Sequence, residues 1–228
     1  MRKLFVSLCG VLGLIAIVAL NACAVDVDFT PSTYNPAVGE MVAFDVCQSC
    51  LGGGAYSYEW DFDGDGTYEV TTEDSLFEQS FDETGYRKVA LRVVDAGRLS
   101  ATCAKGILVG QAPVFATRSM LREKDGSTFV LVKVTARDAA SAPALEEQVP
   151  RGWQVDILES QGTLVKMADG TLQVLWADTL FEGDTRTFSY RLFPSYAAGN
   201  SELIGTNSAY HSGARVRTRV CGDTMLSP

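Results

Sequence analysis

The sequence predicts an all-β chain, and three observations carry that prediction. Apolar residues alternate with polar ones at period two in segment after segment, the mark of half-buried strands. No window of about ten residues or more carries a helical stripe. Glycine and aspartate turn signals recur at short intervals, which fits sandwiches or barrels rather than strand–helix–strand units.

In chain order, the first element is a targeting segment. Arg2 and Lys3 precede an uncharged apolar run, Leu4 to Leu20, interrupted only by Ser7, Gly10 and Gly13. Leu20-Asn21-Ala22-Cys23 then supplies small residues at a cleavage point. The segment resembles a bacterial lipobox, with Asn21 where such boxes hold a smaller residue. That resemblance implies a signal peptide over residues 1–22 and a lipid on Cys23. Ala22-Cys23-Ala24 also reads as a site for ordinary secretion, leaving Val25 first. A third reading keeps the run as an uncleaved anchor, because about 17 apolar residues is the shortest span that crosses a bilayer. Every one of these readings places the rest of the chain outside the cytoplasmic membrane.

The chain has 228 residues and a formal net charge of −9. Loss of the leader removes Arg2 and Lys3 and no acid, so the mature chain is more acidic still. Such a balance argues against nucleic acid and against electrostatic docking on anionic lipid. Any membrane contact therefore runs through the lipid anchor. The length fits two domains of about 100 residues each, or one large one.

Cys9 leaves with the leader and Cys23 is lipidated or lost, so Cys47, Cys50, Cys103 and Cys221 remain. An even number in an oxidising compartment predicts disulfides. Cys47-Gln-Ser-Cys50 is formally C-x-x-C, but no strand–helix–strand setting for a thioredoxin-like role surrounds it. Cys103 and Cys221 do not form the second closely spaced pair that a zinc site needs.

The first half reads as strands with one apolar face. Val42, Phe44 and Val46 alternate with Met41, Ala43 and Asp45; Tyr56, Tyr58, Trp60 and Phe62 alternate with Ser57, Glu59, Asp61 and Asp63. Val89, Leu91 and Val93 follow the same rule. Three blocks, Pro36 to Asp45, Tyr58 to Gly66 and Phe81 to Asp95, resemble in order and spacing a PKD domain covering residues 26–110. The combination of W-D-F-x-D-G with the later G-Y-x-V-x-L-x-V is what makes the likeness specific. Gln79-Ser80-Phe81 departs from it, since many members hold a histidine and then a tyrosine, but Phe81 keeps the aromatic. The resemblance implies an immunoglobulin-like β-sandwich. In that fold Cys47 or Cys50 would bridge to Cys103 at one end of the sandwich. The other of the pair would reach Cys221 or stay free.

Gly110-Gln-Ala-Pro113 reads as a short boundary with little room to flex. Beyond it, residues 129–135, 152–157, 172–176, 187–192 and 216–220 read as strands. Glu146-Glu-Gln-Val-Pro150-Arg-Gly152-Trp153, then Trp176, then Phe188 and Tyr190 resemble repeat domains of prokaryotic surface proteins over residues 112–222. That likeness implies a second immunoglobulin-like sandwich, with Trp153 and Trp176 in its core. The expected architecture is thus two tandem immunoglobulin-like β-sandwiches after the leader.

The stretch Tyr58-Glu-Trp-Asp-Phe-Asp-Gly-Asp-Gly-Thr-Tyr-Glu69 raises a question of chemistry. Asp61, Asp63 and Asp65 with Gly66 match the opening of an EF-hand loop, but position twelve is Thr72 and no helices flank it. As a hairpin, Trp60 and Phe62 point inward, Asp61 and Asp63 point outward with Glu59, and the Asp-Gly pairs turn the chain. Tyr68 to Thr72 then returns as a strand. A carboxylate stripe beside a glycine turn still suits a hard cation, so Asp61, Asp63, Asp65 and Glu69 are candidate Ca2+ ligands. The alternative is a turn with no metal.

Catalytic signals are few. His211 is the one histidine, beside Ser212 on a turn, and no G-x-S-x-G, phosphate loop or zinc pattern occurs. Arg215, Arg217 and Arg219 share one face of the last predicted strand: a solvated face, a partner for neighbouring acids, or an anion-binding strip. No catalytic residue is assigned. The expected role is a non-catalytic surface module for display, spacing or binding of protein or polysaccharide. Two rival roles are a calcium-stiffened subunit of a surface assembly and a carbohydrate-binding accessory of a secreted hydrolase system. The last requires exposed aromatics on one sheet face, with Tyr34, Tyr196 and Tyr210 as candidates.

Overall fold

The structure, a computed structural model, describes residues 27–47, 51, 56–95, 98–159 and 162–228. Residues 1–22, Cys23 and Cys50 lie outside the described residues. All regular elements among the described residues are β-strands.

The first half contributes β1 (Phe29–Pro31), β2 (Val42–Val46), β3 (Tyr56–Asp61), β4 (Val70–Thr72), β5 (Leu76–Gln79), β6 (Gly85–Asp95) and β7 (Arg98–Val109). The second half begins with β8 (Val114–Arg122), β9 (Thr128–Ala136), β10 (Ala140–Gln148), β11 (Trp153–Glu159), β12 (Thr163–Ala168), β13 (Thr171–Trp176) and β14 (Thr179–Leu180). It ends with β15 (Thr185–Pro194), β16 (Ser201–Glu202), β17 (Ile204–His211), β18 (Ala214–Arg219), β19 (Cys221–Asp223) and β20 (Met225–Leu226).

Two cores form where the alternation places apolar residues. Phe29, Phe44, Trp60, Leu91 and Ile107 are fully buried in the first, with Phe29 and Trp60 edge to face at 5.2 Å between ring centroids. Phe81 joins this core, 6.4 Å from the Phe62 ring, so the aromatic that the sequence keeps there is used as expected. The second core gathers Val130, Val132, Val134, Phe188 and Tyr190, with Trp153 and Trp176 at 6% and 4% exposure.

The sheets join these cores into one body. A nine-stranded sheet runs in the order β11-β15-β9-β8-β19-β7-β6-β3-β4, through both halves. A three-stranded sheet, β1-β2-β5, covers the first core, and a six-stranded sheet built on β12-β13-β10-β17-β18 covers the second. The two covers lie on opposite faces of the shared sheet. On β6, Val89, Leu91 and Val93 point into the first core. Tyr86 and Lys88 point the other way and meet the second half, Tyr86 under the Arg219 guanidinium at 4.8 Å and Lys88 at 3.1 Å from Glu202.

The boundary expected at residues 110–113 falls on the turn between β7 and β8, and the sheet continues across it through β19. β19 runs antiparallel to β7 and parallel to β8, with Gly222 opposite Gly106 on one side and Arg118 on the other. Buried Asn35 ties the turn: its amide donates to Leu108 O at 2.6 Å and its Oδ1 accepts from Ala112 N at 3.1 Å.

Two buried cations hold β19. Lys105 Nζ lies 2.8 Å from carboxylates of both Asp28 and Asp223. Burial works against its charge, but Asp223 and Tyr34 beside it, with hydrogen bonds to Asp223 and Asp28, hold its ammonium above the usual lysine range. Arg118 donates to Asp223 O at 2.7 Å, to Leu203 O at 2.5 Å and to Glu147 Oε2 at 2.6 Å. The Arg118–Glu147 pair is 1% and 0% exposed.

The expected staples to Cys103 and Cys221 are absent, because both residues carry free thiols. Cys103 sits on β7 against the first core and Cys221 is fully buried at the seam, its thiol pushed up to about 12 by burial. Hydrogen bonds, ion pairs and sheet continuity do there what the bridges were expected to do. Cys47 is engaged, with its partner outside the described residues.

Two outcomes follow from the seam. A Cβ on Gly222, at φ +84°, would lie 2.1 Å from Arg118 O, whereas Gly39, at φ +76°, has nothing within 4 Å. Gly222→Ala is expected to lower unfolding free energy by roughly 2–4 kcal/mol, against about 1 kcal/mol for Gly39→Ala. Equal losses in urea melts would show that the close approach costs nothing. Arg118→Met leaves a buried carboxylate unpaired and is expected to cost about 3–5 kcal/mol at neutral pH. Burial already raises the Glu147 pKa, with Arg118 opposing it. A raised carboxyl pKa costs stability above it and not below the unfolded value. The variant's deficit should therefore shrink as pH falls towards about 4.3, the unperturbed glutamate value. A deficit that stays flat with pH would place the cost elsewhere.

Candidate metal centre

β3 ends at Asp61, and the chain turns through Phe62 to Glu69 before β4 pairs back, Trp60 opposite Val70. The turn needs backbone that glycine adopts freely: Gly64 has φ +80° and Gly66 +89°. Asp61 organises it. Its Oδ1 accepts from Gly64 N at 2.6 Å and its Oδ2 from Gly66 N at 2.9 Å. Asp63 Oδ1 accepts from Asp65 N at 3.0 Å, and Asp65 Oδ1 from Thr67 N at 2.6 Å, each a local Asx turn. Glu69 Oε2 accepts from Phe62 N at 3.2 Å, closing the hairpin.

These bonds bring the expected set together. Asp61, Asp63, Asp65 and Glu69 each offer an oxygen, and the four oxygens lie within 4.8 Å of one another. None of the ion pairs among the described residues includes any of them. Like charges this close repel, and a divalent cation relieves that. The donors are hard oxygens on a turn, the chemistry that Ca2+ takes, and Asp63 and Asp65 keep Oδ2 outside the bonds described above. The residues present therefore fit the candidate ion, with Asp61 anchoring the loop.

Asp61 itself departs from expectation. It was expected to face solvent with Glu59, yet it is 3% exposed, while Asp63, Asp65 and Glu69 are exposed. The reason is the second half. Asp61 does lie on the face opposite the first core, but there Asn200, Met225 and Ser227 of the second half join Tyr68 and Lys88 in lining a groove of about 300 Å3. Glu59 on the same face pairs with Arg92, which also lies over the Tyr68 ring at 4.0 Å.

The remaining sequence candidates do not converge on a reaction centre. His211 Nδ1 lies 3.0 Å from Ala139 O, while Nε2 lies 3.1 Å from Ser212 Oγ and 3.8 Å from Asp138. Hydroxyl and carboxylate thus meet the same ring nitrogen, which is not the relay of a nucleophile, base and orienter. Arg215 and Arg217 face solvent, whereas Arg219 turns down onto Tyr86. Tyr34 is half-buried at the seam, Tyr196 is fully exposed in a loop and Tyr210 is 47% exposed on β17. These tyrosines do not share one sheet face.

No protein-family model matches the chain. No curated protein matches it either. Among solved structures it is similar to the full-length major pilin SpaD from Corynebacterium diphtheriae, at TM-score 0.41 and 8% identity, over 76% of this chain and 59% of that one. It is also similar to chitinase ChiA74 from Bacillus thuringiensis, at TM-score 0.39 and 12% identity, over 84% of this chain and 28% of that one. A third is the C-terminal domain of the AgI/II polypeptide BspA from Streptococcus agalactiae, at TM-score 0.33 and 9% identity, over 82% and 94%. The chain thus spans less than two thirds of the pilin and less than one third of the chitinase. The chain itself is all-β, with two cores covered by separate sheets on either side of a shared one.

Proposed function

We propose that this chain is a non-catalytic exported module, held to the membrane by a lipid on Cys23, that displays, spaces or binds protein or polysaccharide outside the cell. The observation that carries the reading is the nine-stranded sheet running through both halves. A body with its two cores clamped to one sheet keeps its ends at fixed separation, as a spacer must. The PKD-like blocks of residues 26–110 and the repeat-like segment of residues 112–222 point the same way, by likeness to surface modules. Fold alone does not fix function, so the reading rests first on the shared sheet.

A second reading has its own observation, the four carboxylate oxygens within 4.8 Å. In it Ca2+ on Asp61, Asp63, Asp65 and Glu69 locks the hairpin that abuts Lys88. Lys88 in turn pairs with Glu202 across the seam at 3.1 Å. The ion would supply charge neutralisation and no chemistry of bond making. The polysaccharide-accessory reading draws less support, since the tyrosines named for it do not form a platform.

Thermal unfolding of the processed chain, with calcium and with chelator, tests the second reading. At a hundredfold excess over the dissociation constant the ion contributes about 2.7 kcal/mol, a rise of roughly 5–10 °C for a chain of this size. The Asp63→Ala, Asp65→Ala variant should show no rise. Superimposable curves would leave the stretch as a turn. Protease added to intact cells tests the first reading: digestion supports surface display, and full protection ends it.

A further inference from the structure

We infer that copies of this chain join head to tail, the Arg215 and Arg217 edge of β18 in one copy seated against the acidic β4 edge of the next. Among the described residues, β18 pairs only with β17 and β4 only with β3, so each leaves one edge of unpaired backbone groups. Such edges invite another strand. They belong to different sheets and different halves, β4 ending the nine-stranded sheet and β18 the six-stranded one.

The charges on the two edges are opposite. Arg215 has no carboxylate partner among the described residues, and Arg217 reaches Glu146 only at 4.0 Å, with its side chain 59% exposed. Arg215 is held in place, donating to Ser208 Oγ at 2.8 Å and lying 5.4 Å over the Tyr210 ring. A pre-placed guanidinium loses little freedom on binding. This pair stands out in a chain of net charge −9. The β4 edge is flanked by exposed Glu69, Glu73 and Asp74. Beside it opens a groove of about 460 Å3 lined by Asp63, Glu69, Asp82 and Glu83. Its one arginine, Arg87, already pairs with Glu83 at 3.6 Å.

Charged residues on an edge commonly guard against strand pairing. Here the guard works only against like edges: two β18 edges repel, and so do two β4 edges. The pairing of β18 with β4 is the one that the charges favour. Free backbone on both edges makes an extended segment a better occupant than a polyanion without amide groups. Different patches on each copy form a heterologous contact, which extends into a row instead of closing as a dimer.

Sedimentation velocity of the processed chain over a concentration series tests the inference. Assembly is expected at about 0.01 M salt and its loss at about 1 M, where the screening length falls from roughly 30 to 3 Å. Arg215→Glu with Arg217→Glu should weaken the contact about tenfold or more, and Glu73→Lys with Asp74→Lys should do the same. Mixing the two variants makes both kinds of junction complementary again and should restore assembly. Thermal melts like the parent's show that each variant folds. A parent that stays monomeric at low salt overturns the inference, as do variants that assemble normally or a mixture that stays monomeric. Capture of poly-glutamate or an anionic glycan by a monomeric parent, lost on changing Arg215 and Arg217, also overturns it in favour of another anionic partner. Glu73 and Asp74 lie outside the carboxylate cluster, so their substitution leaves its ligands in place, and sedimentation is run in chelator so that no ion on Asp63 or Glu69 neutralises the acidic edge.

Discussion

The ammonium of Lys105 and the guanidinium of Arg118 hold β19 from opposite faces of one sheet, and most of the architecture depends on that grip. Lys105 takes the Asp223 carboxylate at 2.8 Å on the side of the first core. Arg118 takes the Asp223 carbonyl at 2.7 Å on the side of the second. Removing two charges from water is costly, and a buried pair is weak evidence for stability by itself. What makes these pairs matter is that their partners come from distant parts of the chain. Asp28, Glu147, Leu203 and Asp223 are all engaged by the two cations, so both halves must be in place before either cation is satisfied.

From that shared sheet comes the setting of the carboxylate hairpin. A lone sandwich would leave the outer face of β3 and β6 in water, with Glu59, Asp61, Lys88 and Arg92 all solvated. Because the second half packs against this face, Asp61 is enclosed while its neighbours Asp63 and Asp65 stay at the rim. An enclosed carboxylate demands hydrogen bonds, and the amides of Gly64 and Gly66 supply them. The loop is therefore shaped by a polar group that the tertiary structure buried, and that shape turns the remaining oxygens towards one point.

Strands with large apolar residues at every second place were legible: β2, β3, β6, β9, β13 and β15 all begin and end close to where the alternation does. Three strands escaped notice for a common reason. β8 puts Arg118 on its inward face after Val114 and Ala116, β10 has a single large apolar residue, Leu145, beside inward Glu147, and β17 carries Gly205, Asn207 and Ala209 inward. Their burial is secured by ion pairs and hydrogen bonds, so hydrophobic periodicity is silent there. β19 has only three residues and takes its place from partners over 100 positions away, which no local pattern records. That Asp61, Asp63, Asp65 and Glu69 would gather was legible, because closely spaced carboxylates around Asp-Gly turns are brought together by the local fold of the hairpin. The burial of Asp61 was not, since it depends on the other half of the chain.

The same grip also fixes register. Successive residues of a strand face opposite sides, so sliding β19 by one position would turn the Asp223 carboxylate away from Lys105 and towards the second core. It would also bring a residue with a Cβ to the place where Gly222 lies against Arg118, with room for none. A purely apolar β19 would lack the first of these constraints, since one branched side chain fills a seam much as another does. A Lys105–Asp223 pair on one face and an Arg118–carbonyl bond on the other admit only the register observed. Buried polar groups here contribute specificity where hydrophobic packing would leave choices, and they do so at the one junction where a slip would separate the two halves.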